Sequence, residues 1–157
     1  MPHERMQTHT SSAFVVSCID PRFADAIWEF MKKQHPYHFD APVNTPGGAK
    51  ALAEDTVKRQ EIYNDLTVAI ALHSVEYLYV FVHSQCGGYN IPDRSQEQQQ
   101  QIADLYQVRN SIKTHPQDQV RNLTVRAFIA DGHDDSIQQT NASKTRQWDN
   151  ILIKQVY

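Results

Sequence analysis

Val80-Phe81-Val82-His83-Ser84-Gln85-Cys86-Gly87-Gly88 is the stretch on which the reading of the fold turns. A β-branched and aromatic run ends in His83, and Cys86 follows three residues later at a glycine-rich turn. Open α/β sheets place their chemistry at the carboxyl ends of strands. Upstream, Phe14-Val15-Val16 repeats the design and delivers Cys18, Asp20 and Arg22 as Cys-x-Asp-x-Arg. The chain has two cysteines. Each falls just beyond an apolar strand, beside a side chain able to ligate or titrate.

Working outward, residues 13–17 are apolar on both faces, as a central parallel strand is, and residues 77–82 and the nearly all-apolar 123–130 read as further strands. Between them lie helical patterns. Residues 23–33 carry Phe23, Ile27, Phe30 and Met31 at helical spacing, and residues 49–57 and 63–73 follow. In residues 95–114 the expected buried stripe is Ile102, Leu105, Tyr106, Arg109 and Ile112, with Gln98 to Gln101 as a solvated face. Residues 37–44 read as a further extended piece closed by Thr45-Pro46-Gly47-Gly48, residues 131–135 as a turn, and residues 148–157 as a terminal strand. Strands alternating with helices predict an α/β fold, one domain with a mostly parallel central sheet flanked by helices. Residues 1–12 read as a flexible arm and residues 13–157 as the domain.

Composition narrows the function. With 157 residues, 40% hydrophobic and 21% charged, the chain suits one globular domain. A net charge of −3 and no basic block argue against a nucleic-acid partner. No apolar run approaches the ~20 residues of a membrane helix. The polar residues 1–12 lack the apolar core of a secretory signal, so a cytoplasmic, reducing setting is expected, with thiols free or bound to metal.

Cys18, His83 and Cys86 together offer two thiolates and an imidazole, a zinc ligand set that leaves a fourth position open. Neighbouring strands lie about 4.8 Å apart, so the ends of two strands can share one ion. Taken singly, a cysteine is more often a small buried hydrophobe; the joint placement favours metal. Asp20 and Arg22, two apart in an extended turn, are expected to point the same way, the guanidinium holding the carboxylate ionised. A plain surface ion pair is the alternative. Gly47, Gly48, Gly87, Gly88 and Tyr89 are candidate walls of a small-molecule pocket, where glycine lets a ligand approach the backbone. His73 reads as a packing or capping residue and His133 as a turn residue or proton shuttle. A cysteine-phosphatase reading of residues 18–22 fails, because the loop is too short to wrap a phosphate and Pro21 removes an amide donor.

Cys18-Ile19-Asp20-Pro21-Arg22 with His83-Ser84-Gln85-Cys86-Gly87-Gly88 resembles the paired signature of the β-class carbonic anhydrases, and Ser74-Val75-Glu76-Tyr77 resembles a further segment of that family. The resemblance covers roughly residues 13–135. It implies a β-carbonic-anhydrase-like fold and one Zn(2+) per chain on Cys18, His83 and Cys86. It also implies reversible hydration of carbon dioxide to bicarbonate by zinc-bound hydroxide, and a homodimer or higher homo-oligomer. Asp20 would accept a hydrogen bond from zinc-bound water or itself take the fourth metal position, and Arg22 would hold Asp20 off the metal. The chain departs from the family at Pro21, at Thr45-Pro46 and in its short amino-terminal arm, and His9 and Thr10 lie near the position where the family carries a glutamine ahead of the first cysteine strand. Those departures leave room for a zinc hydrolase of carbonyl sulfide or carbon disulfide, or for a non-catalytic zinc-binding paralogue. A metal-free cysteine hydrolase using Cys86 and His83 is a more distant alternative.

Overall fold

The computed structural model describes residues 10–35, 37–132 and 151–157. Five strands form one sheet in the order β2-β1-β3-β4-β5. They are β1 (Ala13–Ser17), β2 (Val43–Asn44), β3 (Tyr77–His83), β4 (Thr124–Gly132) and β5 (Ile151–Gln155). The first four run parallel and β5 pairs antiparallel to β4. The expected α/β domain with a mostly parallel sheet is therefore what the chain forms.

Helices cover both faces, which explains why β1 is buried along its whole length. On one face α1 (Pro21–Gln34) buries Phe23, Ile27 and Met31 against Val15, Tyr79, Phe81 and Phe128. The other face packs α2 (Lys50–Ala53), α3 (Val57–His73) and α4 (Arg94–Lys113), whose Leu52, Ile62, Leu66, Leu105 and Ile112 meet Val16, Leu78 and Val80. A short α5 (Asp118–Arg121) leads into β4. From β1 the chain crosses to β2 on one side, then returns to β3 on the other. That reversal leaves a crevice at the carboxyl ends of β1 and β3, the usual ligand position in an open α/β sheet.

Several local expectations are corrected. The extended piece over 37–44 contracts to Val43–Asn44 plus one bridge from Phe39 to Ala13, because it lies at the sheet edge. The helix expected over 49–57 stops after one turn, where Glu54 turns extended. Thr56 then caps α3, its hydroxyl taking the Arg59 amide, so that helix starts at Val57 rather than at 63. On α4 the buried stripe is Glu97, Gln101, Leu105, Val108 and Ile112; Tyr106 and Arg109 are exposed. Gln101 therefore leaves the solvated glutamine face and enters the core. Asp131 and Gly132 belong to β4 rather than to a turn.

Residues 1–9 of the expected arm lie outside the described residues, as does His133. Ser11 and Ser12 are tied down by backbone bonds to His73, His38, Glu76 and Tyr77. His73 bonds Asp40 through Nδ1 at 2.8 Å.

Two glycines are fixed by close approach. Gly48 has φ +56°, and a Cβ there would stand 2.3 Å from the Phe81 carbonyl oxygen and 3.1 Å from the Cys18 nitrogen. A Cβ on Gly88 would stand 2.4 Å from the Gly47 nitrogen. The 46–48 turn is thereby wedged between the strand ends and the 86–88 turn. Gly48→Ala combines left-handed strain with overpacking and is expected to cost about 2–4 kcal/mol. The shift in the urea unfolding midpoint measures it.

Candidate metal centre

Cys18 lies one residue beyond β1, His83 is the last residue of β3, and Cys86 sits in the turn that follows. All three meet in the crevice, with one ligand atom from each within 4.8 Å of the others. The two Sγ atoms are 3.8 Å apart, too far for a disulfide of about 2.05 Å, and both cysteines are free. Two thiolates on one tetrahedral zinc, each at about 2.3 Å, would stand roughly 3.8 Å apart. The spacing fits.

His83 supplies the deciding test of fit. It is 1% exposed. Its Nδ1 is 2.8 Å from the Ser84 carbonyl oxygen, which only a protonated nitrogen can bond, so Nδ1 donates and, in the neutral ring, Nε2 is the nitrogen that carries the lone pair. Nε2 is buried, without a hydrogen-bond partner among the described residues. Burying such an atom unpaired costs about 1–3 kcal/mol, a cost that ligation removes. A backbone carbonyl that fixes the opposite nitrogen is also how ligating histidines are oriented. Phe23 stacks on the imidazole at 4.3 Å and limits its tilt.

The two thiols are electrostatically coupled. Cys18 is pulled down to about 4, chiefly because the Cys86 thiol donates a hydrogen bond to it; burial opposes this, and His83 beside it adds to the lowering. Cys86 is pushed up by the same contact and by burial, while the amides of Gly88 and Tyr89 work the other way. Without metal the pair shares one proton, which a cation would displace.

Asp20 and Arg22 do not sit in an extended turn. Asp20 is the N-cap of α1, with Pro21 opening the helix, so its carboxylate faces the first turn. Asp20 Oδ1 takes the Arg22 amide at 2.9 Å and Nε at 3.0 Å, while Oδ2 takes Nη2 at 2.7 Å. Oδ2 stands 3.8 Å from His83 Nε2. Burial, the largest single influence, pushes the Asp20 carboxyl up; the Arg22 bonds and the nearby imidazole outweigh it and hold it below the usual range. It is charged at neutral pH. Arg22 Nη2 also donates to the Gln85 carbonyl oxygen at 2.9 Å, joining the loops that carry Cys18 and Cys86.

A family model described as "Putative carbonic anhydrase" matches residues 8–139. The chain belongs to this family. No curated protein matches it. Among solved structures, a carbonic anhydrase from Glaciozyma antarctica is similar at 12% identity over 82% of this chain and 81% of that one, with a TM-score of 0.49.

Every residue of the cluster lies inside the stretch matched by the carbonic anhydrase family. The proposed pocket walls divide. Gly48 and Gly88 pack backbone on backbone, a Cβ on Gly47 would stand 3.0 Å from the Lys50 side chain, and a Cβ on Gly87 would meet nothing within 4 Å. Tyr89 is 7% exposed and belongs to the core, its hydroxyl donating to Asp104 at 2.8 Å. Lys50 reaches the Gly88 carbonyl oxygen at 3.0 Å and braces that turn. Gln101, which the sequence reading placed on a solvated face, and Glu97, which it did not single out, sit directly behind the Cys86 loop. Their i, i+4 spacing in line with Leu105 and Ile112 was the available signal.

Proposed function

We propose that this member of the carbonic anhydrase family is a zinc-dependent lyase of the β-class type, interconverting carbon dioxide and bicarbonate. Cys18, His83 and Cys86 hold the metal, one ion per chain. The observation carrying the reading is the buried, unpartnered Nε2 of His83 beside two thiols at tetrahedral spacing. Zinc on this set supplies Lewis acidity, which makes water a competent nucleophile near neutral pH.

The chain's own groups do the rest. Asp20, charged and pinned by Arg22, is a fixed acceptor whose Oδ2 faces the ligand set, and it orients an incoming O–H. The guanidinium lowers the basicity of Asp20 and keeps the carboxylate from swinging into the ligand set. Phe23 stacked on the His83 ring holds Nε2 in line and excludes water from that side. Because Asp20 stays ionised well below neutrality, it adds no inflection to the rate profile there.

Stopped-flow hydration of carbon dioxide tests the reading, on protein whose zinc is assayed in the same sample. Turnover should rise from neutral to alkaline pH and vanish with chelator. At acidic pH the metal itself is lost, because two thiolates and an imidazole must be deprotonated to bind it. Full zinc with no hydration at any pH would remove this substrate. Hydrolysis of carbonyl sulfide or carbon disulfide by the same sample would then identify the zinc hydrolase instead.

A further inference from the structure

Glu97 is 3% exposed on α4, a position where a leucine would pack. Its carboxylate grips the loop that carries Cys86. Oε1 accepts the Cys86 amide at 2.7 Å and Oε2 accepts the Gln85 amide at 2.9 Å. Two successive amides converge on it because Gln85 has φ +54°, a left-handed conformation that turns both N–H groups to one side. The Gln85 peptide is held from the other side as well, by Arg22 on its carbonyl oxygen. One turn along α4, Gln101 is 1% exposed and donates to the His83 carbonyl oxygen at 2.7 Å. A single helix face thus grips the backbone of both His83 and Cys86. Arg94, on the same helix, gives its guanidinium to Asp131.

We propose that Glu97 is a positioning residue for the metal loop, its carboxylate fixing Cys86 Sγ opposite Cys18 and His83 Nε2. The inference rests on the metal-centre reading and goes beyond it. The two Glu97 carboxylate oxygens each accept one backbone amide, of Cys86 and of Gln85, so Glu97 acts through the loop backbone. A carboxylate is needed because it accepts twice without offering a donor. Glutamine offers one acceptor atom instead of two and turns an NH2 toward the second amide. The loop would then relax and carry Cys86 away from the other two ligands.

The test compares Glu97→Gln with wild type in two measurements on folded, metal-free protein reloaded with metal. One is zinc affinity by competition with a chromophoric chelator. The other is the visible absorption of the cobalt(II) form, which reports sulfur ligation and site geometry. Expected are a roughly 10–100-fold loss of zinc affinity, the range for partners that orient metal ligands, and an altered cobalt spectrum. Glu61→Gln, a change on the exposed face of α3, should match wild type in both. A merely structural Glu97 would lower the unfolding midpoint and leave both metal readouts unchanged; that result overturns the inference. If Glu97→Gln does not fold, Glu97→Asp carries the same two measurements, with a smaller loss expected and unchanged values again decisive against. Wild-type protein that takes up neither metal would overturn the metal-centre reading itself, a result separate from the first.

Discussion

Cys86→Ala is expected to abolish metal retention, reduce carbon dioxide hydration to background and remove all stabilisation by zinc. The variant leaves one thiolate and one imidazole, too few for a closed zinc shell. Wild-type protein at a free zinc concentration 1,000 times its Kd gains about 4 kcal/mol of apparent stability by mass action. The variant gains none, so its melting temperature should not respond to added zinc. Because Cys86 is 3% exposed and part of the core, loss of the sulfur also leaves a small void. Melting curves with zinc and with chelator separate the two contributions. The void lowers both curves equally, and the metal term appears only as their difference in wild type. A variant still stabilised by zinc would show that Cys86 is not a ligand.

Asp20→Asn is expected to retain zinc and lose roughly 10²–10⁴-fold in turnover, the range for a positioned proton acceptor. Asparagine keeps the N-cap bond to the Arg22 amide, so α1 should survive with little cost. It loses the charge that pairs with the guanidinium and the oriented acceptor at Oδ2. Asp20→Ala should add a capping loss of about 0.5–2 kcal/mol to the same kinetic defect. Zinc content, unfolding midpoint and hydration rate measured on one preparation distinguish these effects. Wild-type turnover in Asp20→Asn would remove the carboxylate from the mechanism.

The Cys18–His83–Cys86 cluster was legible because strands buried on both faces leave a plain mark. Ala13–Ser17 and Tyr77–His83 are nearly unbroken apolar runs, and the polar residues that end them are where a parallel sheet exposes its crevice. The helices of the opposite face were less legible. Leu52 and Leu66 pack into the core, but α2 ends early because Thr56 offers the backbone a better start three residues later.

The same limit hid the support of the site. Reading polarity as exposure placed Gln101 in solvent and passed over Glu97, when the backbone groups of Gln85, Cys86 and His83 are their partners. A loop with a left-handed residue presents unpaired amides, and no pattern in the loop's own sequence says which distant side chain meets them. Asp20-Pro21 was a missed local sign. An acid followed by proline is a helix start, and that start aims the Asp20 carboxylate at Arg22.

X-ray absorption at the zinc edge, on protein purified without chelator, addresses the central claim most directly. The arrangement of Cys18, His83 and Cys86 predicts one zinc per chain, with two sulfur neighbours at about 2.3 Å and nitrogen or oxygen neighbours at about 2.0–2.2 Å. Absence of zinc, or a shell without sulfur, would contradict it.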